Sequence, residues 1–290
     1  MTPPPHHPVL IVNPMSGGGK AKGYDLVGQC HARGIEPVVL KAGDDISMLA
    51  ATAVSQGADI IGAAGGDGSQ AAVAAVAAEH DIPYVCVPSG TRNHFALDIG
   101  IDRNDVVGAL DAFLDTPERR IDLARANGRV FVNNASMGLY GRVVQSEEYR
   151  DAKLRTVVEM LPELLGPGAE PSDLSFTAPD GSEFKSAHLV LVSNNRYELD
   201  PLGSRGTRGD IDQGTLGIVA VRLGLPSQRL KEWTAASFRV SSGAAVELGL
   251  DGEAVVMDPP LIFESWPSAL RIRARARRGR RKRILKFPKP

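Results

Sequence analysis

Residues 58–69 read Ala58-Asp59-Ile60-Ile61-Gly62-Ala63-Ala64-Gly65-Gly66-Asp67-Gly68-Ser69. Apolar residues run to Ala64 and stop at a glycine-rich loop. From Gln70 to Glu79 the chain is rich in Ala and suits a helix. A buried strand, a glycine loop and a helix in that order make one half of a parallel βα unit. The same order occurs on both sides. Val9–Val12 is a short apolar run ending in Asn13-Pro14-Met15-Ser16-Gly17-Gly18-Gly19-Lys20, and Lys22–Arg33 suits a helix. Tyr84–Val87 ends in Pro88-Ser89-Gly90-Thr91-Arg92-Asn93-His94-Phe95-Ala96. Pro37–Leu40 reads as a further strand. Asp44-Asp45 can cap a helix running to Gln56, and Asn104–Leu114 suits another. Strands alternating with helices predict a parallel sheet covered on both faces.

The pattern changes near residue 121. Ile121–Ala124 and Val130–Val132 flank Asn127-Gly128, a hairpin signal. Tyr140–Leu165 is expected to be mostly helical. Short alternating runs follow near 174–177, 187–193, 216–221, 244–250, 254–257 and 260–264. Strands at this spacing predict an antiparallel sandwich or barrel. The expected organisation is therefore a disordered arm (1–7), an α/β domain with a parallel sheet (8–120), a β-sandwich-like domain (121–270) and a basic tail (271–290). The tail's first strand, Leu270–Arg277, can pack back on the body. The cleft between the two domains is the expected site.

Composition narrows the class. The chain has 290 residues, 43% of them hydrophobic and 23% charged, as in an ordinary soluble globular protein. Two cysteines exclude a disulfide framework and a Cys-rich zinc site. Both, Cys30 and Cys86, are expected to be packing residues. The six His form no ligand pair of metal-site spacing. No long apolar run or signal-peptide pattern is seen, so the expected location is cytoplasmic. The net charge of −1 hides an asymmetry: eleven Lys or Arg lie between Arg271 and Lys289, and no acidic residue follows Glu264. An acidic body with a basic tail points to an anionic surface.

The three loops should sit together at the carboxyl ends of parallel strands, where open α/β sheets bind ligands. Glycines let backbone N–H groups approach phosphate oxygens, and helix N-termini add positive potential. Ser16, Ser69 and Thr91 add hydroxyls. The first loop lacks Walker A spacing. Each loop alone could be an ordinary βα turn; three together argue for a phosphate site. Asp67 lies inside the cradle, where a carboxylate suits a Mg²⁺ ligand, a proton acceptor or a ribose contact. It could equally cap the Ala-rich helix. Leu250-Asp251-Gly252-Glu253 offers a second carboxylate pair, although Asp-Gly is also a common hairpin turn.

Together, Asn-Pro-x-Ser-Gly, Gly-Gly-Asp-Gly-Ser and Pro-x-Gly-Thr-x-Asn-x-Phe-Ala resemble the diacylglycerol kinase catalytic-domain family, which includes bacterial lipid kinases and is related to sphingosine and NAD kinases. The resemblance continues through Asn133–Gly138, Asn194–Tyr197 and Leu250–Glu253. It implies a nucleotide-binding α/β domain followed by a β-sandwich-like domain, with the active site between them. It also implies ATP, Mg²⁺ and γ-phosphoryl transfer to a lipid hydroxyl such as that of diacylglycerol. Asn13, Ser16, Gly65, Gly66, Gly68, Ser69, Gly90, Thr91, Asn93 and Glu253 would line the nucleotide site. Asp251 and Asp67 would be catalytic, and which of them is the base stays open. The family's Asp-Asp-Gly-x-Leu-Asp stretch, associated with a metal, reads Asp212-Gln213-Gly214-Thr215-Leu216-Gly217 here. A metal at Asp212 is therefore weakly supported. NAD kinase and a catalytically inactive nucleotide-binding regulator at the membrane are the alternatives. The expected partners are a lipid substrate and, through the basic tail, an anionic membrane. A specific nucleic-acid partner is not expected, and a homodimer is left open.

Overall fold

The computed structural model describes residues 4–114, 116–138, 172–197, 208, 210–222 and 229–274. The helix expected over Tyr140–Leu165 and the tail beyond residue 274 lie outside the described residues.

The first half runs β1 (Pro8–Val12), α1 (Lys20–Gly23), α2 (Leu26–His31), β2 (Glu36–Val39), α3 (Ile46–Ser55), β3 (Ile60–Gly65), α4 (Asp67–Glu79), β4 (Tyr84–Pro88) and α5 (His94–Asp98). The strands pair in parallel in the order β2-β1-β3-β4. Both faces of this sheet are covered, which is why β1, β3 and β4 are buried along their whole lengths. Two expected helices are changed. Lys22–Arg33 splits into α1 and α2, because Asp25 takes a left-handed conformation and caps α2 by accepting from Gly28 N–H. Asn104–Leu114 yields only a 3₁₀ segment, Gly108–Phe113. The arm is also partly fixed: the backbone N–H groups of His6 and His7 donate to the Asp59 carboxylate at 2.6 and 3.0 Å.

The second half runs β5 (Glu118–Ala126), β6 (Arg129–Phe131), β7 (Asn134–Gly138), β8 (Phe176–Thr177), β9 (Glu183–Phe184), β10 (Leu189–Asn194), β11 (Leu216–Arg222), β12 (Arg229–Ala235), β13 (Ser237–Val240), β14 (Val246–Leu250), β15 (Glu253–Met257) and β16 (Leu261–Arg273). A six-stranded antiparallel sheet has the order β12-β11-β10-β7-β14-β15. The first sheet continues with strands from beyond residue 120. β16 returns to the first sheet beside β4, and β5, β6 and β13 follow it there, making eight strands.

This extension makes the sandwich. Ala124, Ala126, Phe131, Phe238 and Phe263 of the extended sheet face Ala135, Met137, Val190, Ile218 and Leu248 of the second sheet across one core. Phe176, Trp233 and Phe238 add edge-on ring contacts there. Ile121 and Leu123 lie in the other core with Tyr84 and Phe95, and Trp266 packs against it too. One strand, β5, thus serves two cores, and the two layers share a continuous backbone. The fold is the expected α/β unit with a β-sandwich-like partner.

Candidate active site

The three glycine loops follow β1, β3 and β4, which are neighbours in the sheet, so their carboxyl ends open at one place. Side chains then tie the loops together. Asn13 Nδ2 donates to Ser69 Oγ at 3.1 Å, and Gly66 N–H reaches Ser16 Oγ at 3.4 Å. Lys20 Nζ donates to the Gly90 carbonyl at 3.2 Å. Asn93 holds the third loop from within: its Oδ1 accepts from Gly90 N–H at 2.9 Å, and its Nδ2 donates to Gly90 O at 3.0 Å. Thr91 beside it is exposed.

The glycines differ in what they permit. A Cβ on Gly90 would lie 2.9 Å from Gly66 N and 2.8 Å from Asn93 Oδ1, so Gly90 is needed for the loops to meet. A Cβ on Gly65 would lie 2.7 Å from Ser69 Oγ. Gly66 is different: a Cβ there would meet nothing nearer than Gly90 Cα at 3.7 Å, so its outer face is open. Gly66 is also the N-cap of the 13-residue α4, and no side chain caps that end. The first-turn N–H groups of a helix have no intrahelical partner. An uncapped helix start beside an open glycine face fits a phosphate group. Ser89 Oγ, in the third loop, is a buried hydroxyl without a hydrogen-bond partner among the described residues.

Asp67 does not cap its own helix. Its carboxylate accepts from His94 N–H at 3.2 Å and Phe95 N–H at 3.1 Å, at the start of α5. It therefore joins the second loop to the third. His94 is exposed and takes part through its backbone.

Asp251 and Glu253 reach this cluster from the second sheet. The turn between β14 and β15 puts Asp251 in a left-handed conformation (φ 49°) and Gly252 next to it at φ 89°. The Asp251 carboxylate accepts three backbone N–H bonds: Val132 to Oδ2 at 2.8 Å, and Asn133 and Asn134 to Oδ1 at 2.7 and 3.1 Å. Burial is the largest influence on this carboxyl and pushes its pKa up to about 7; the three N–H bonds oppose the rise, and the Asp67 charge adds to it. The two candidate catalytic carboxylates are therefore electrostatically coupled. Glu253 lies over Gly68, where a Cβ would come within 2.8 Å of its Cδ, and its Oε2 is 3.5 Å from Arg129 Nη2.

These residues fit a nucleotide with its metal. Mg²⁺ is usually held by one or two carboxylates together with substrate phosphates. Asp67, Asp251 and Glu253 supply carboxylates beside the open helix start. Among the described residues, no cluster of three or more His, Cys, Asp or Glu forms a metal site without such phosphates. That includes Asp212, which is exposed and not brought to any such cluster. The space an Asp would need at position 217 is filled, since a Cβ there would lie 2.8 Å from Arg196 Cα and 2.7 Å from Ser193 Oγ.

Several organising residues escape a sequence reading. Gln70 is buried and its Nε2 donates to Gly65 O at 3.2 Å and Val87 O at 3.1 Å, joining the ends of β3 and β4. Asp122 is buried and accepts from Gly214 N–H at 2.6 Å, Ser268 N–H at 2.8 Å and Asn195 Nδ2 at 3.1 Å. Arg208 and Asp98 form a buried ion pair behind the site. The partners of Asp122 and Arg208 are distant in sequence; only the asparagines at 133–134 and 194–195 gave a hint.

The diacylglycerol kinase catalytic domain family matches residues 7–126, so the resemblance of the loops is borne out over the first domain. A diacylglycerol kinase of Mycobacterium tuberculosis (strain H37Rv) is 34% identical over 119 residues, covering 40% of this chain and 38% of the relative. One of Staphylococcus aureus (strain Newman) is 30% identical over 132 residues, covering 41% of each. The alignments thus span about two fifths of those relatives. A crystal structure from Bacillus anthracis str. Sterne, of a candidate diacylglycerol kinase, superposes with a TM-score of 0.72 at 20% identity over 94% of this chain and 99% of that one. At that identity the likeness speaks to the fold.

Proposed function

We propose that this protein is an ATP-dependent lipid kinase of the diacylglycerol kinase type, transferring the γ-phosphoryl group to the hydroxyl of a lipid alcohol. The observation that carries the reading is the meeting of two parts. An uncapped α4 start with an open Gly66 face comes from one layer, and Asp251 comes from the other. The first suits a triphosphate; the second suits a hydroxyl whose proton must leave. Phosphoryl transfer needs little more than positioning, charge neutralisation and an acceptor for that proton.

In this reading the first-turn N–H groups of α4, with Ser16, Ser69 and Asn13, orient the phosphates. Thr91 lies at the rim of the same cluster. Mg²⁺ bound with ATP would neutralise the phosphate oxygens, held by Asp67 or Glu253. Asp251 acts as general base. A carboxylate has about four lone-pair sites, and three of those on Asp251 accept backbone N–H groups. The remaining site, on Oδ2, takes the lipid hydroxyl proton. A pKa near 7 places this base at its most effective near neutral pH. Among the described residues no helix is long and apolar enough to cross a membrane. The basic residues that follow β16 in the sequence would bring the protein to an anionic membrane where its substrate resides.

The test is transfer of labelled phosphate from ATP to a panel of lipid alcohols in mixed micelles. The panel holds diacylglycerol, phosphatidylglycerol, a sphingoid base and a polyprenol, with NAD as control acceptor. Label on a lipid and not on NAD is expected. Label on NAD alone would overturn the lipid reading.

A further inference from the structure

The side chain of Arg208 is buried and fully engaged. It is 1% exposed and that of its partner Asp98 4%. Nε and Nη2 both donate to Asp98 Oδ2, at 2.9 and 2.7 Å. Nη1 donates to Val132 O and Asn194 O, each at 2.6 Å, and Nη2 reaches Asn133 Oδ1 at 3.1 Å. A guanidinium has five N–H donors in a rigid fork, and all are used. Burying an ion pair is costly unless it is hydrogen-bonded in full; here it is.

The partners matter more than their number. Asp98 ends α5, whose first N–H groups are held by Asp67. Val132 and Asn133 form the crossing from β6 to β7, and each is gripped from two sides. Val132 donates its N–H to Asp251 and its carbonyl accepts from Arg208. Asn133 donates its N–H to Asp251 and its side-chain oxygen accepts from Arg208. A continuous circuit therefore runs from Asp67 through α5, Asp98 and Arg208 to Val132, Asn133 and Asp251.

We infer that Arg208 is a positioning residue for phosphoryl transfer, fixing the loop that aims Asp251 relative to the nucleotide loops. The inference rests on the reading of Asp251 as the base. Lysine cannot replace Arg208 here, because a point charge cannot span Asp98, the two carbonyls and Asn133 at once. Of the charged groups around this circuit, Asp67 from α4 acts on Asp251, and Asp251 acts on Arg208. Against the burial that disfavours its charge, Asp98, Tyr197 and Asp251 keep Arg208 protonated.

The experiment compares Arg208→Gln, Arg208→Lys and the milder Asn133→Ala in full-length protein, using dioctanoylglycerol micelles and ATP. Both Arg208 variants should lose about 10- to 100-fold in kcat, the scale of a small misplacement, with ATP affinity kept. KM for both substrates should be kept in both variants, so that the loss falls on kcat alone. If neither Arg208 variant folds, Asn133→Ala decides: it leaves one Arg208 N–H without its acceptor, so the melting temperature should drop modestly, while kcat falls several-fold in protein still folded at the assay temperature. Full kcat in the folded variants, or a loss carried by KM with kcat kept, would overturn the inference. A fully active Asp251→Asn would instead overturn the base assignment on which it rests.

Discussion

Glu253 rests its carboxylate against the Cα of Gly68, so that a Cβ at position 68 would come within 2.8 Å of Glu253 Cδ. This contact joins the first residue of β15, just after the Asp251-Gly252 turn, to the first turn of α4. Glu253 is a flexible, largely exposed side chain, so Gly68→Ala should displace it at little cost, and Ala favours the helix. The melting temperature should hold or rise slightly. Turnover should fall about tenfold if Glu253 serves the metal or nucleotide. Thermal melts beside initial rates at saturating ATP check both parts, and undiminished turnover would remove Glu253 from the site.

Two other glycines separate packing from binding. Gly66→Ala adds a methyl into open space 3.7 Å from Gly90 Cα, in an extended backbone (φ −82°) that any residue adopts. Its fold should survive while ATP affinity, read by calorimetry, falls at least tenfold, because the methyl occupies the face offered to phosphate. Gly90→Ala drives its methyl toward Gly66 N and Asn93 Oδ1 and should lower the melting temperature as well. If Gly66→Ala binds ATP as the parent does, the phosphate lies elsewhere.

The base assignment predicts a pH profile. Asp251 accepts a proton only when ionised, so kcat should rise through a pKa of about 7 and level off above it. Asp251→Asn keeps the shape, and should lower turnover by 10²-fold or more while retaining ATP binding. A variant with full turnover, paired with an inactive Asp67→Asn, would move the base to Asp67.

The same carboxyl affects stability in a defined direction. Its folded pKa lies above the ordinary value of 3.8, so between those two pH values the native state binds the extra proton. Stability from this group is full below the lower value and is lost as pH rises toward about 7. Measured by urea unfolding from pH 4 to 8, Asp251→Asn should gain on the parent as pH rises. A constant difference would show that Asp251 is not shifted.

The sequence made the parallel unit and its loops legible because each βα step is local. The apolar run, the glycines and the following helix lie within about twenty residues of one another. Asp67, Asp251 and Glu253 were identifiable as carboxylates beside glycines. The route of β16 was legible only at its end, as a strand from Leu270 that can pack back on the body. Its alternation suits either sheet, and only pairing with β4 and β5, far back in the chain, decides between them. Of the roles open to Asp67, the local one gives way for a similar reason. Capping its own helix is the local option, but the α5 N–H groups 27 and 28 residues away receive its carboxylate instead. Arg208 and Asp98, 110 residues apart, left no local trace at all.

The basic residues after β16 lead to the last prediction. Eleven Lys or Arg lie between Arg271 and Lys289, but not all are available to a membrane. Arg271 Nε is 2.6 Å from Glu118 Oε1, and Arg273 Nε is 3.6 Å from Glu118 Oε2, so the first two are turned to the protein's own carboxylate. Nine remain beyond them, seven at positions 278–290, alongside Ile284, Leu285 and Phe287. Each basic residue near an anionic leaflet contributes about 1 kcal/mol, and the attraction fades over a Debye length of about 8 Å at physiological salt. Half of the nine would hold the protein at the surface if its acidic body stands further off than that length. Deleting residues 278–290 should therefore abolish sedimentation with phosphatidylglycerol vesicles and leave ATP binding intact. Activity should drop more on vesicles than on a detergent-dispersed short-chain lipid. Raising salt should weaken vesicle binding of the full-length protein in the same sense. If the truncated and full-length proteins sediment equally at physiological salt, the membrane is not what these residues meet.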